Sequence, residues 1–182
     1  FLLEQLRSCC LAVVLFLCLF AVSTSHGMED FQVGFGRSKI TPMESLWMSG
    51  YAGPHRVAKG VMDDLYAQAL AIQDGYGSRA MLLRIDVCVM HDSTVTRICD
   101  LIKKRTGLMR RQILVNISHT HSGPAVDELH HYPMSTEDRA KLAAYTERLK
   151  SLCADAAVEA VEDLKPAVLD FGVGEAHFFH NR

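Results

Sequence analysis

The sequence has no surplus of charge of either sign: 19 basic and 21 acidic residues leave a formal net charge of −2. That balance removes the electrostatic footprint of a nucleic-acid-binding chain, so no nucleic-acid partner is expected. The short basic runs, Lys103 to Arg105 and Arg110 to Arg111, sit around a helix end, where a solvated face complements the macrodipole. Cysteine pattern is missing too. Cys9, Cys10 and Cys18 lie in the N-terminal apolar stretch, and Cys88, Cys99 and Cys153 are odd in number and widely spaced. That excludes a disulfide framework and a CxxC metal motif, and leaves the three as small buried hydrophobes. Internal repeats and low-complexity stretches are absent as well. With 49% hydrophobic and 22% charged residues the composition is that of a globular chain, not a disordered one, and 182 residues make one domain the default.

The first 27 residues differ from the rest. After Arg7 comes the apolar run "CCLAVVLFLCLFAV", followed by the small polar residues of "STSHG". A basic residue, an apolar core and small residues around Val22 to Ser25 read as a secretory signal peptide over residues 1–27. Residues 28–182 are then a protein that is secreted, periplasmic or displayed at the cell surface. The run is short for a bilayer span, which makes a retained anchor the weaker alternative. A start at Met28 would remove the leader and the export reading with it. A chain that begins with Phe1 and stops after "FFHNR" is expected to be a fragment with an incomplete domain.

Hydrophobic periodicity predicts a mixed α/β order. "QVGFGRSKI" (32–40) alternates as a first strand, and its two glycines point to close backbone approach or a bend. Residues 41–60, with Pro42, Gly50, Gly53, Pro54 and Gly60, form a long loop of the length that commonly walls a site. "DDLYAQALAIQD" and "RAMLLRIDVCVM", joined by "GYGS", predict an antiparallel hairpin. From Asp92, a capping residue, the apolar positions Val95, Ile98, Cys99, Leu101 and Ile102 take helical spacing until Gly107. "QILVNIS" (112–118) returns to strand. "STED" (135–138) resembles a capping box opening a long helix that ends before Pro166, and "AVLDFGVGEAHF" (167–178) is the last expected strand. The expected fold class is α/β, a mixed sheet with helices packed on it, with at least partly parallel pairing across the helical crossovers.

The chemistry concentrates in "NISHTHSGP" (116–124). If the strand stays extended to residue 121, His119 and His121 project to the same side. They would then lie at the carboxyl end of a strand, where α/β sheets place their ligands. Imidazole nitrogens suit zinc, but HxH supplies two ligands at most and a third must come from elsewhere. The alternative is a polar strand end whose rings satisfy backbone groups. "NIS" at Asn116 matches the glycosylation sequon but overlaps an expected buried strand, which argues against modification.

"HTHSGPA" after an apolar strand, together with "VGFGRSKITP", "MSGYAG", "GVMDDLYAQALAI" and "LLRIDVCVM" in that order, resembles the N-terminal part of the neutral/alkaline, non-lysosomal ceramidase family from about Val33 to Arg182. The resemblance implies a zinc-dependent amidohydrolase that cleaves the N-acyl bond of ceramide to a sphingoid base and a fatty acid through a zinc-activated water. The cofactor it implies is Zn2+, and the partner a lipid such as ceramide, met at a membrane surface. It assigns His119 as a zinc ligand, His121 as a catalytic residue beside the reacting centre, and Arg182, in "NR", as an active-site arginine. The family's other zinc ligands, a His, a Glu and a Tyr, belong to later parts of its catalytic domain, so the fragment alone is expected to be inactive. "AVDELHHYP", with His130 and His131, departs from the small and aromatic residues that begin the family's lipid groove, which leaves the acyl substrate open.

Other residues carry lesser expectations. Asp86 is either an acceptor orienting a ligand histidine or a backbone cap. His91 and Asp92 follow the same strand and line the crevice in the functional reading. His55 reads as surface, His177 and His180 as strand-face positions near Arg182, and the scattered methionines as core gap-fillers. Two rival functions stand beside the amidase: a metal-dependent phosphoesterase or other hydrolase with acidic ligands near Asp86 and Asp92, and a noncatalytic protein of the same fold.

Overall fold

The computed structural model describes residues 31–51, 57–127 and 133–178. Five strands form one mixed sheet: β1 (Phe31–Lys39), β2 (Tyr66–Gln73), β3 (Arg79–Ile85), β4 (Ile113–Ile117) and β5 (Lys165–Ala167). Their order across the sheet is β4-β3-β2-β1-β5. Two helices, α1 (Asp92–Thr106) and α2 (Thr136–Glu162), cover one face, and this is the mixed, helix-covered sheet expected from the sequence. The signal-peptide residues, His55, His130, His131, His180, Asn181 and Arg182 lie outside the described residues.

Alternation builds the core. Ala67, Ala69 and Ala71 of β2 and Met81, Leu83 and Ile85 of β3 face the helices and are buried. They meet Ile98, Cys99 and Ile102 of α1 and Leu149, Cys153, Ala156, Ala157 and Ala160 of α2. On the opposite face no helix packs among the described residues, and Phe35, Leu82 and Leu114 are exposed there. The small residues of α2 are matched by Gly34 and Gly36 of β1. A Cβ at Gly34 would lie 2.0 Å from the Ala160 carbonyl oxygen, and one at Gly36 2.0 Å from that of Ala156. The glycines therefore let the helix backbone rest directly on the strand, the close approach expected from "VGFGR".

The hairpin forms as expected, with Leu70 opposite Leu82. Its turn is held by Asp74, whose carboxylate accepts the Tyr76 and Ser78 N–H groups at 3.0 and 2.7 Å. Strand β3 stops at Ile85, earlier than the apolar run suggested, because Asp86 turns its carboxylate onto the Tyr66 N–H (3.1 Å) and pairs with Arg84 (2.8 Å). Helix α1 ends at Gly107, φ +77°, as expected. Its N-cap is His91, and Asp92 is the first helical residue, so Asp92 does not cap it. Asp127 supplies the cap from outside, accepting the His91 N–H at 2.9 Å and the buried Thr94 hydroxyl. Helix α2 opens at Ser135, whose hydroxyl accepts the Asp138 N–H at 3.0 Å and donates to the Asp138 carboxylate at 2.8 Å. The Ser135 hydroxyl holds the Asp138 carboxyl below its usual range.

The last strand corrects the expectation. Residues 168–178 are not a strand, and β5 has three residues, antiparallel to β1 at the edge remote from β4. Ala167 stands opposite Phe31, and among the described residues no ladder forms from Val168 onward. On the other side of β5, the Phe35 and Arg37 N–H groups are taken by the Asp163 and Glu159 carboxylates at 3.0 and 2.8 Å. Among the described residues, parallel pairing is confined to β3 and β4.

Candidate metal centre

That one parallel pair sets up the site. Ile85 stands opposite Ile117, so β3 and β4 end at the same level and in the same direction. Their continuations leave the sheet side by side, and Ser118 N–H still reaches the Ile85 carbonyl at 3.0 Å. Three residues past β3 comes Cys88, and two past β4 comes His119. Cys88 is buried, with Sγ 4.0 Å from His119 Nδ1. This is the crevice at the carboxyl ends of strands where α/β sheets hold ligands.

His119 does not continue the strand. Its φ is +55°, a left-handed conformation that costs a non-glycine residue roughly 1–2 kcal/mol. The extended geometry expected for residues 113–121 therefore fails, yet the pair still converges: the two rings have centroids 5.1 Å apart at 64°. The strained turn swings the His119 ring back over Cys88. There Nδ1 lies 2.7 Å from the Cys88 carbonyl oxygen. A carbonyl only accepts, so Nδ1 carries the proton and Nε2 keeps its lone pair. A backbone acceptor behind one ring nitrogen is the arrangement that orients a ligand histidine.

His121 is held from the other side by the long loop. Trp47 and Val57 form a bridge across that loop, and Met48 pairs with Pro124. Ser49 N–H donates to the Gly123 carbonyl at 3.2 Å, and Ala125 N–H to the Trp47 carbonyl at 2.7 Å. These bonds zip the loop onto "HTHSGP". Gly50, at φ +104°, then passes so close that a Cβ there would fall 2.4 Å from His121 Cγ. Next to it, the Tyr51 ring meets the His121 ring edge-on, with centroids 4.9 Å apart. The loop is the wall that its length and glycines suggested.

Cys88, His119 and His121 each offer a ligand atom, all within 4.8 Å of one another. One thiol and two imidazoles are a soft nitrogen and sulfur donor set of the kind zinc takes, and the residues present fit a metal ion of that class. Among the described residues no carboxylate joins the group. Asp86 serves as the backbone cap, and Asp92 lies in the first turn of α1. His177 is exposed beside Glu175 at 3.3 Å, on a segment that is not a strand. The other two thiols are core. Burial pushes Cys153 up to about 12 and raises Cys99 as well, which keeps both protonated and inert.

The sequence profile described as "Neutral/alkaline non-lysosomal ceramidase, N-terminal" matches residues 31–179. The chain belongs to this family. It is 32% identical over 117 residues to a neutral ceramidase of Oryza sativa subsp. japonica, covering 63% of this chain and 14% of that protein. To neutral ceramidase 2 of Arabidopsis thaliana it is 30% identical over 114 residues, 61% of this chain and 15% of the relative. The chain thus spans about one-seventh of the length of these ceramidases. Among solved structures, the neutral ceramidase of Pseudomonas aeruginosa superposes with a TM-score of 0.62 at 18% identity, over 76% of this chain and 22% of the other. That likeness shows the shared fold.

Proposed function

We propose that this chain contributes the HxH part of the active site of a zinc-dependent amidohydrolase that splits the N-acyl bond of ceramide. The observation that carries the reading is the His119 ring, turned by a left-handed residue and fixed at Nδ1 by the Cys88 carbonyl, which leaves the lone pair on Nε2. Membership of the ceramidase family supplies the substrate class. A zinc ion at this position would supply a water acidified to near neutral pH and would polarise the amide carbonyl.

The protein's own groups divide the remaining work. His119 would hold the ion through Nε2. His121, half-buried and braced by Tyr51, lies within reach of the reacting centre, where it hydrogen-bonds the developing oxyanion or passes a proton to the leaving amine. Arg182 is proposed as the cationic fork for the oxyanion or the product carboxylate. The leader over residues 1–27 is proposed to export the protein to the compartment where it meets its lipid at a membrane surface.

The test uses the full-length protein. Zinc per chain is measured by elemental analysis for wild type and His119→Ala, with hydrolysis of a fluorescent N-acyl sphingosine on the same samples. Near-stoichiometric zinc and turnover, both lost in the variant, are the expected result. Zinc without ceramide turnover would overturn the substrate. A wild type without zinc would overturn the enzyme reading and leave His119 and His121 as a polar strand end.

A further inference from the structure

Two non-glycine residues among those described have left-handed backbones, His119 at φ +55° and Asp127 at φ +64°, and they stand at the two ends of "HTHSGPAVD". The first turns the ligand ring; the second has no part in the chemistry described above. Its bonds show what it holds. The Asp127 carboxylate accepts the His91 N–H at 2.9 Å and the Thr94 hydroxyl, and its own N–H donates to the Thr146 hydroxyl at 3.2 Å. Thr94 and Thr146, on α1 and α2, are buried, at 4% and 5% exposed. Ser49, the other buried polar residue among those described, also bonds to this segment, through its N–H and the Gly123 carbonyl. Buried polar groups are costly unless paired, so these bonds fix the path of the chain beyond His121.

We infer that Asp127 is a positioning residue of the metal site, which keeps the Cys88 carbonyl against His119 without touching either. The inference rests on the proposed metal role of His119 and deepens it. The two segments that form the site leave β3 and β4 side by side and are tied at both ends. At the strand ends the Ser118 N–H bonds to the Ile85 carbonyl at 3.0 Å; at the far ends the Asp127 carboxylate takes the His91 N–H. Between these ties lies the contact that sets the ring, His119 Nδ1 with the Cys88 carbonyl at 2.7 Å, which leaves the Nε2 lone pair for the ion. Cys88 stands three residues before His91. Without the far tie its carbonyl is held from the strand end alone, and the ring loses the acceptor that fixes its tautomer and direction. The left-handed backbone at Asp127 is strain kept in place by the same bonds. His91, the N-cap of α1, makes no side-chain cap bond, so the Asp127 carboxylate also caps that helix. The two roles can be separated.

Variants of the full-length protein separate the tie from the cap, with zinc as the probe. Asp127→Gly removes the carboxylate and relieves the left-handed strain, and His91→Ser added to it gives α1 a cap of its own. Urea midpoint and zinc affinity, the latter by chelator competition, are measured on each. Asp127→Gly is expected to bind zinc about 10- to 100-fold more weakly than wild type, the loss usual when a group supporting a metal ligand is removed. The double variant is expected to regain the urea midpoint of wild type but not its zinc affinity. Asp127→Asn, which keeps an acceptor for the His91 N–H and tolerates the left-handed backbone, is expected to bind zinc close to wild type. Zinc affinity unchanged in Asp127→Gly, restored together with the midpoint in the double variant, or as weak in Asp127→Asn as in Asp127→Gly would overturn the inference and leave Asp127 a helix cap. Should Asp127→Gly fail to fold, the double variant, which carries its own cap, decides on the same criterion. A wild type that binds no zinc is a different failure: it would overturn the metal role of His119, and the inference with it.

Discussion

Two places in this molecule depend on glycine for close approach, and they use it to opposite ends. Between β1 and α2, Gly34 and Gly36 let the helix carbonyls of Ala160 and Ala156 come down onto the strand. The surroundings are buried alanines in ordinary conformations, and the gain is packing. At the carboxyl ends of β3 and β4, Gly50 lets the loop backbone press on His121 while His119 itself sits at φ +55°. There the closeness positions two rings and a thiol, and it stores strain. The first region stabilises the scaffold; the second draws on that stability to hold chemistry in place.

The largest effect should come from breaking the seam. Gly34→Ala and Gly36→Ala each place a methyl against a backbone carbonyl that no side-chain rotation can move aside, so each is expected to cost about 1–3 kcal/mol. Urea unfolding measures this, and the metal content of the folded fraction should not change. Removing the cap of α2 with Ser135→Ala should cost about 1 kcal/mol, again without touching the site.

The cleft should respond in the opposite sense. His119→Gly relieves the left-handed strain and loses one hydrogen bond, two terms of similar size, so unfolding should stay within about 1 kcal/mol of wild type. Metal binding, measured by zinc titration, should nevertheless be lost. A seam variant that lost metal, or a destabilised His119→Gly, would erase the contrast.

The smallest effect is in acid. The Phe35 N–H, with Lys165 alongside, holds the Asp163 carboxyl below its usual range. A folded-state value below the unfolded one gives stability that is full above the unfolded carboxylate pKa of about 3.9 and is lost as pH falls through the lowered folded value. The difference in urea midpoint between wild type and Asp163→Asn should therefore be steady at neutral pH and shrink below about pH 4. A difference that holds constant down to pH 2 would mean that the carboxylate charge plays no part.

Much of the scaffold is legible in the sequence because it depends on local period and punctuation. The alternating runs around "GYGS" form the hairpin, and helix α1 begins at Asp92 and stops at Gly107 as its spacing predicts. What could not be read is set by pairing between distant segments. The strand expected at 167–178 is replaced by Lys165–Ala167, whose partner is the distant β1, with Ala167 opposite Phe31. Cys88 reads as one more buried hydrophobe until parallel pairing of β3 and β4 brings it beside His119. The left-handed turn at His119 left no usable signal: histidine enters that region more often than most non-glycine residues, but still too rarely to mark the position. Gly50 and Tyr51 entered the sequence reading through a long loop and the "MSGYAG" motif, with nothing there to set them against His121. The ordered motifs of the ceramidase family identify the chain and direct attention to the histidines.

The central claim, that the cleft beyond β3 and β4 is a metal site, is tested most directly by anomalous diffraction at the zinc edge from crystals of the zinc-loaded chain. The account predicts one strong peak beside His119, about 2.0–2.1 Å from its Nε2, with His121 facing it. Peaks elsewhere on the surface, with His119 Nε2 facing only water, would contradict it.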